Sequence, residues 1–237
     1  MQTTARLRAV LLDAGNTLIV ERESRAALYA AAARARGLTV DDDAMLAHMK
    51  RAHAELPREI GAHFHYSEGW FACFIERVFV ERLGLDRSAL ARVQAELLER
   101  FADPATFRVL PGAFELVREL RARGLVVGVV SNWSERLPDL LEGLGLAREL
   151  DFIVVSALER CEKPEPRIFA VALERARVGA AQALHVGDDL EADVHGARAL
   201  GILPIQLARD SSSSTGTHVR VRDLHELKRW ILDRLET

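Results

Sequence analysis

Cysteine is scarce: Cys73 and Cys161 are the two in the chain, with neither C-x-x-C nor metal-ligand spacing. That excludes a disulfide framework and fits unpaired thiols in a reducing compartment. Aromatic residues make up only 6% and the formal net charge is -3, so the basic, aromatic-studded surface of a nucleic-acid binder is missing. No apolar run reaches the roughly 20 residues that span a bilayer, and Met1 to Arg8 lacks the apolar segment of a secretory signal. The expectation is a cytoplasmic protein with no nucleic-acid or membrane partner; oligomeric state is not legible. Lysine is the sharpest shortage, three (Lys50, Lys163, Lys228) against 29 arginines. Lys163, just before "PEP", therefore marks a place that needs a compact ammonium.

What is present is a chain of 237 residues, 49% hydrophobic, long enough for a sizeable core and for two unequal domains. It has two textures. From Arg25 to about Phe101 the apolar residues recur with helical period, in about four helices with no convincing strand between them. From Pro111 onward, apolar strands such as "LVVGVVS", "DFIVVS", "ALHVG" and "ILPIQLA" alternate with amphipathic helices. Strands apolar throughout belong to a parallel sheet covered on both faces, and the opening "LRAVLLD" has the same character. The predicted fold is α/β, a Rossmann-like parallel sheet with helices on both faces and an inserted helical cap. Residues 1–18 and 106–237 would form the core, and 19–105 the cap. "SSSSTGT" at 211–217 reads as a polar surface loop.

Parallel sheets bind ligands at the carboxyl ends of their strands. Four strand ends here carry polar residues: Asp13; Ser131 and Asn132; a loop leading to Lys163; and Asp188 with Asp189, followed by Asp193. An acid, a hydroxyl, an ammonium and an acid cluster on one edge equip a site for phosphoryl chemistry. A carboxylate attacks phosphorus, a divalent cation neutralises the phosphate, and the hydroxyl and ammonium take the remaining oxygens.

The ordered stretches "LLDAGNTL", "VVSNW", "EKPEPRIF" and "HVGDDLEADVHGARALG" resemble the four motifs of the haloacid dehalogenase superfamily, with the helical cap after the first. The resemblance implies that Asp13 is the nucleophile and Lys163 its ammonium partner. Asp13, Gly15 through its carbonyl, Asp188 and Asp189 would hold Mg²⁺, with Asp193 an alternative to Asp189. Ser131 would bind phosphate oxygens, with Asn132 and Thr17 supporting it. The implied partner is a small phosphorylated molecule.

One departure stands out. Phosphatases of this superfamily usually carry a second aspartate where this chain has Gly15, and that aspartate supplies general acid and base. Its absence removes a contribution of about 10²–10⁴-fold. The superfamily's dehalogenases also lack it, but they need no metal, whereas the acidic fourth motif is intact here. Phosphonoacetaldehyde hydrolases lack it too and use a cap lysine; Lys50 is the only lysine in the expected cap, on what reads as a solvated helix face. The leading reading is a Mg²⁺-dependent phosphatase-like hydrolase. A catalytically weak metabolite- or partner-binding protein is the reading from a different class.

In the cap, "GAHFHYSEGW" gathers His63, His65, Tyr66 and Trp70. Trp70 is the candidate for substrate contact. The two histidines fit packing or surface, and they join Glu21 as possible replacements for the missing acid/base. Cys161, close to Lys163, is a weak candidate for a lowered thiol pKa.

Overall fold

The computed structural model describes residues 6–209 and 218–235, so the 211–217 loop expectation lies outside the described residues. In chain order, β1 (Ala9–Leu12) and β2 (Ile19–Glu21) precede helices α1 (Arg25–Arg34) and α2 (Asp42–Glu55). A hairpin of β3 (Glu59–Ile60) and β4 (His63–Phe64) follows, then α3 (Glu68–Glu76), α4 (Leu90–Ala102) and β5 (Phe107–Val109). Helix and strand then alternate through α5 (Ala113–Ala122), β6 (Val126–Ser131), α6 (Leu137–Gly143), β7 (Phe152–Val155), α7 (Ser156–Glu159) and α8 (Pro166–Ala176). The chain continues through β8 (Ala183–Gly187), α9 (Gly196–Ala199), β9 (Leu203–Leu207), β10 (Val219–Val221) and α10 (Leu224–Leu235).

Six strands form one sheet in the order β10-β9-β8-β1-β6-β7, and every pair is parallel. Side chains alternate between faces along a strand. Val10 and Leu12 of β1 therefore enter one core with Leu116, Leu120 and Ile231 from α5 and α10, while Ala9 and Leu11 enter another with Ile168 and Phe169 of α8. Both faces are covered, which is why the strands read as unbroken apolar runs. The polar-flanked β10, only "VRV", and α10 after it are not legible in that texture. Among the described residues no helix is long and apolar enough to cross a membrane.

A separate apolar cluster joins α1 to α4, with Tyr29, Met45, Trp70, Phe79, Val93 and Leu97 at its centre. Helix starts follow the local chemistry: Ser24, Asp41 and Ser67 cap α1, α2 and α3, each side chain accepting a backbone N–H of the first turn. This region is not purely helical. The β3–β4 hairpin turns at Gly61, whose φ of +61° suits glycine, and two-residue strands are too short to show an alternating pattern. Between the clusters run β2 and β5, paired antiparallel, and Ile19 and Phe107 pack with the sheet layer.

Candidate active site

The register pairs Leu12 with Val129 on one side and Val186 on the other. Asp13, Ser131 and Asp188 consequently leave the sheet at the same edge, the carboxyl ends of the three central strands. Asp13 is buried, and its Oδ1 accepts hydrogen bonds from Ser131 Oγ at 2.8 Å and Lys163 Nζ at 2.7 Å. Oδ2 takes none among the described residues, so it is the oxygen free to react. Burial pushes this carboxyl up, Lys163 pulls it down and the charge of Asp193 raises it again; the net direction is upward.

Lys163 is 4% exposed and reaches a second carboxylate, Asp193 Oδ1, at 2.6 Å. Burial opposes its charge, but Asp13 and Asp193 outweigh that and hold the ammonium charged far above the usual range. Asp193 is anchored in turn. His185 of β8 lies with Nε2 2.8 Å from the same Oδ1, and the Asp189 backbone N–H donates to Oδ2 at 3.1 Å. A carboxylate only accepts, so His185 carries its proton on Nε2. Burial would raise the Asp193 carboxyl, yet Lys163 and His185 hold it well below the usual carboxylate range. Gly187 makes this possible, because a Cβ there would stand 2.0 Å from Asp193 Cγ.

Oxygens of Asp13, Asp188 and Asp193 lie within 4.8 Å of one another. Asp188 is pushed up to about 6, by burial first and then by the charges of Asp13 and Asp193. Hard oxygen donors converging in a buried place, where burial and neighbouring charge disfavour ionisation of Asp13 and Asp188, are a donor set that a divalent cation such as Mg²⁺ relieves. Both Asp193 oxygens are already engaged, which leaves Asp13 and Asp188 as the carboxylates of this cluster with an oxygen to offer a cation.

Several sequence expectations are corrected. Asp189 spends Oδ1 as a helix cap, accepting from Glu191 N at 2.9 Å and Ala192 N at 2.7 Å, and Asp193 takes its place in the carboxylate cluster. Asn132 lines the cavity but spends one N–H and its carbonyl on the Lys163 backbone, leaving one amide N–H unengaged. Its Oδ1 accepts from Lys163 N at 2.8 Å and its Nδ2 donates to Lys163 O at 2.9 Å. Thr17 is fully buried beneath the tight turn from Ala14 to Ile19 and does not line the cavity. Trp70 is fully buried in the helical cluster, stacked on Phe74, with its indole N–H donating to Pro57 O at 2.8 Å. The cap residues that reach the cavity instead include Phe71, next to it in the chain, and Tyr66, four positions before it. Burial pushes the Cys161 thiol up rather than down. Lys50 sits exposed on α2, away from the cavity.

Other functional residues were not anticipated. His185 is signalled only by a histidine inside an otherwise apolar strand. Trp133 stands over Gly15: a Cβ there would meet Trp133 Cζ3 at 3.1 Å. Its loop is locked by Ser156 Oγ, which accepts from Trp133 N at 3.1 Å and donates to Trp133 O at 3.2 Å. His63 is exposed, whereas His65 is buried between Glu162 Oε2 at 2.7 Å and His53 Nε2 at 3.1 Å. Glu162 also accepts from Arg58 Nε at 2.6 Å, so residues of the α2–α3 region grip the loop that carries Lys163. Neither His63 nor His65 lines the cavity, while Glu21 does, paired with Arg25 at 2.6 Å.

This sheet, with an aspartate closing its central strand, a lysine bound to it and an acid cluster opposite, defines a hydrolase of the haloacid dehalogenase class. The family of haloacid dehalogenase-like hydrolases matches residues 7–201, and the chain belongs to it. It is 36% identical over 200 residues to the haloacid dehalogenase-like hydrolase domain-containing protein 3 of Bos taurus, covering 83% of this chain and 80% of that one. It is 33% identical over 166 residues to a phosphoserine phosphatase of Thermus thermophilus, covering 67% and 65% respectively. The solved structure of a phosphatase of the same superfamily from Thermococcus onnurineus superposes with a TM-score of 0.68 at 25% identity, covering 95% of this chain and 98% of that one.

Proposed function

We propose that the protein is a Mg²⁺-dependent phosphatase-type hydrolase of a small phosphorylated substrate, working through an aspartyl-phosphate at Asp13. The observation that carries this reading is the fixing of Asp13 Oδ1 by both Ser131 and Lys163, which leaves Oδ2 unengaged on a residue that lines a cavity of about 340 Å³. Oδ2 forms the bond to phosphorus, and the ester oxygen leaves with the bonding electron pair. Lys163 stays protonated and offsets negative charge beside the nucleophile, while Ser131 Oγ–H orients it. Water then hydrolyses the acyl phosphate, which releases inorganic phosphate and restores the carboxylate. Mg²⁺ at Asp13, Asp188 and the Gly15 carbonyl would supply charge neutralisation for the transferring phosphoryl group. The convergence of Asp188 on Asp13 favours this chemistry over metal-free dehalogenation, and the phosphatase names among the relatives support it.

The test is acid-quenched mass spectrometry after mixing with acetyl phosphate and Mg²⁺. A mass increment of one phosphoryl group on the Asp13 peptide, absent in Asp13→Asn, is expected. An unmodified Asp13 under conditions of turnover refutes the assignment.

A further inference from the structure

The side of the cavity built by the helical region is largely apolar. Tyr29, Phe71, Ile75, Leu97, Leu98 and Phe101 line it from α1, α3 and α4, together with the ring of Tyr66. The charged groups contributed on that side are engaged with one another: Arg25 with Glu21 at 2.6 Å, and Arg136 with Glu68. The Arg25 guanidinium also lies 5.3 Å from the Phe101 ring centre. Among the described residues that line the cavity from these helices there is no Asn, Gln, Ser or Thr, and the Tyr29 phenol is their only hydroxyl, joined by that of Tyr66 from the turn before α3. A polyol or sugar would lose its hydration there and find few partners in return. An aromatic ring would bury apolar area at about 25 cal/mol per Å² and meet Phe71 and Phe101 in favourable edge-to-face contact.

The other end of the cavity leads to the same substrate class. Gly15 carries no carboxylate, and the Trp133 ring occupies the space into which a side chain at that position would grow. The leaving oxygen therefore departs without a proton from that side, which demands a stable anion.

From these two observations we infer that the site takes phosphate monoesters of aryl alcohols, with the phosphoryl group at Asp13 and the aromatic leaving group against the apolar wall. The inference rests on the phosphatase reading above. In the first step the Asp13 Oδ2–P bond forms and the P–O(aryl) bond breaks, with the electron pair leaving on a phenolate that takes its proton from solvent. Water then cleaves the acyl phosphate to inorganic phosphate and the free carboxylate.

Steady-state kinetics of the full chain with Mg²⁺ would compare phenyl, 2-naphthyl and 2-phenylethyl phosphates with glucose 6-phosphate. Phenol and 2-naphthol are comparable leaving groups, so a kcat/KM for the naphthyl ester about fivefold above phenyl, or more, reports apolar contact. The 2-phenylethyl ester, apolar but with an alkoxide leaving group, should trail phenyl by about 100-fold or more. Leu98→Asp should bring the naphthyl-to-phenyl ratio to about one, with circular dichroism confirming the fold; if that variant does not fold, the parent series decides alone. Equal kcat/KM for glucose 6-phosphate and 2-naphthyl phosphate overturns the aryl assignment and leaves the phosphatase reading standing. No turnover of any ester, with no acyl phosphate trapped at Asp13, overturns both.

Discussion

Asn132 grips the backbone of Lys163 at both ends, accepting from its N–H at 2.8 Å and donating to its carbonyl at 2.9 Å. A residue at the end of β6 thereby fixes, 31 positions away, the peptide that carries the ammonium. Asn132→Ala should lower kcat by about 10²-fold with a smaller change in KM, because a displaced Lys163 no longer aligns Asp13. Replacement by Asp keeps only the acceptor and should recover part of the rate. A kcat unchanged in the alanine variant would show that Lys163 is held by other means.

The acid cluster predicts how stability responds to pH without divalent cation. Asp188 is pushed up to about 6, above the ordinary aspartate value, so the folded state binds its proton more tightly than the unfolded chain does. Stability from this group is therefore gained as pH falls through about 6 and is absent above it. Thermal unfolding in EDTA should show Asp188 pulling Tm down between pH 5 and pH 7 against the opposite pull of His53 and His218, whose burial favours the folded state as pH rises, and Mg²⁺ should raise Tm more at pH 7.5 than at pH 5. In Asp188→Asn both effects should shrink; equal Mg²⁺ shifts at the two pH values would count against a cation at this cluster.

Gly15 has no positive φ, so its backbone accepts a side chain; the obstacle is the Trp133 ring at 3.1 Å. Gly15→Asp alone should therefore gain little. Combined with Trp133→Ala, it should raise kcat/KM for alkyl phosphates by about tenfold or more and flatten the dependence on leaving-group pKa, as a restored general acid does. A leaving-group series on the single and double variants provides the measurement, and a slope as steep in the double variant as in the parent would sink the idea.

Glu162 ties the Lys163 loop to the α2–α3 region through His65 and Arg58. Burial would raise its carboxyl, but His65 and Arg58 hold it below the usual range. Glu162→Ala leaves a buried His65 nitrogen without its hydrogen-bond partner and should cost about 1–2 kcal/mol in urea unfolding. Loss of less than about 0.5 kcal/mol would make the contact incidental.

The local pattern of residues was sufficient for the parallel core, since strands buried on both faces must be apolar throughout. It was also sufficient to point to Asp13, Ser131 and Asp188, because strand ends at the carboxyl edge face the site whatever the loops do, and to Lys163 through the scarcity of lysine and the motif around it. Which of Asp189 and Asp193 joins the cluster depended on helix phase and on the missing Cβ of Gly187, both set by packing rather than by residue type. Trp70 against Phe71 was undecidable for the same reason. Adjacent residues on a helix point about 100° apart, and only the position of α3 against its neighbours decides which faces the core and which the cavity. The roles of Asn132, Trp133 and Glu162 depend on contacts formed over long sequence separations. No local periodicity encodes them, and the tertiary structure alone brings those groups within hydrogen-bonding or packing distance.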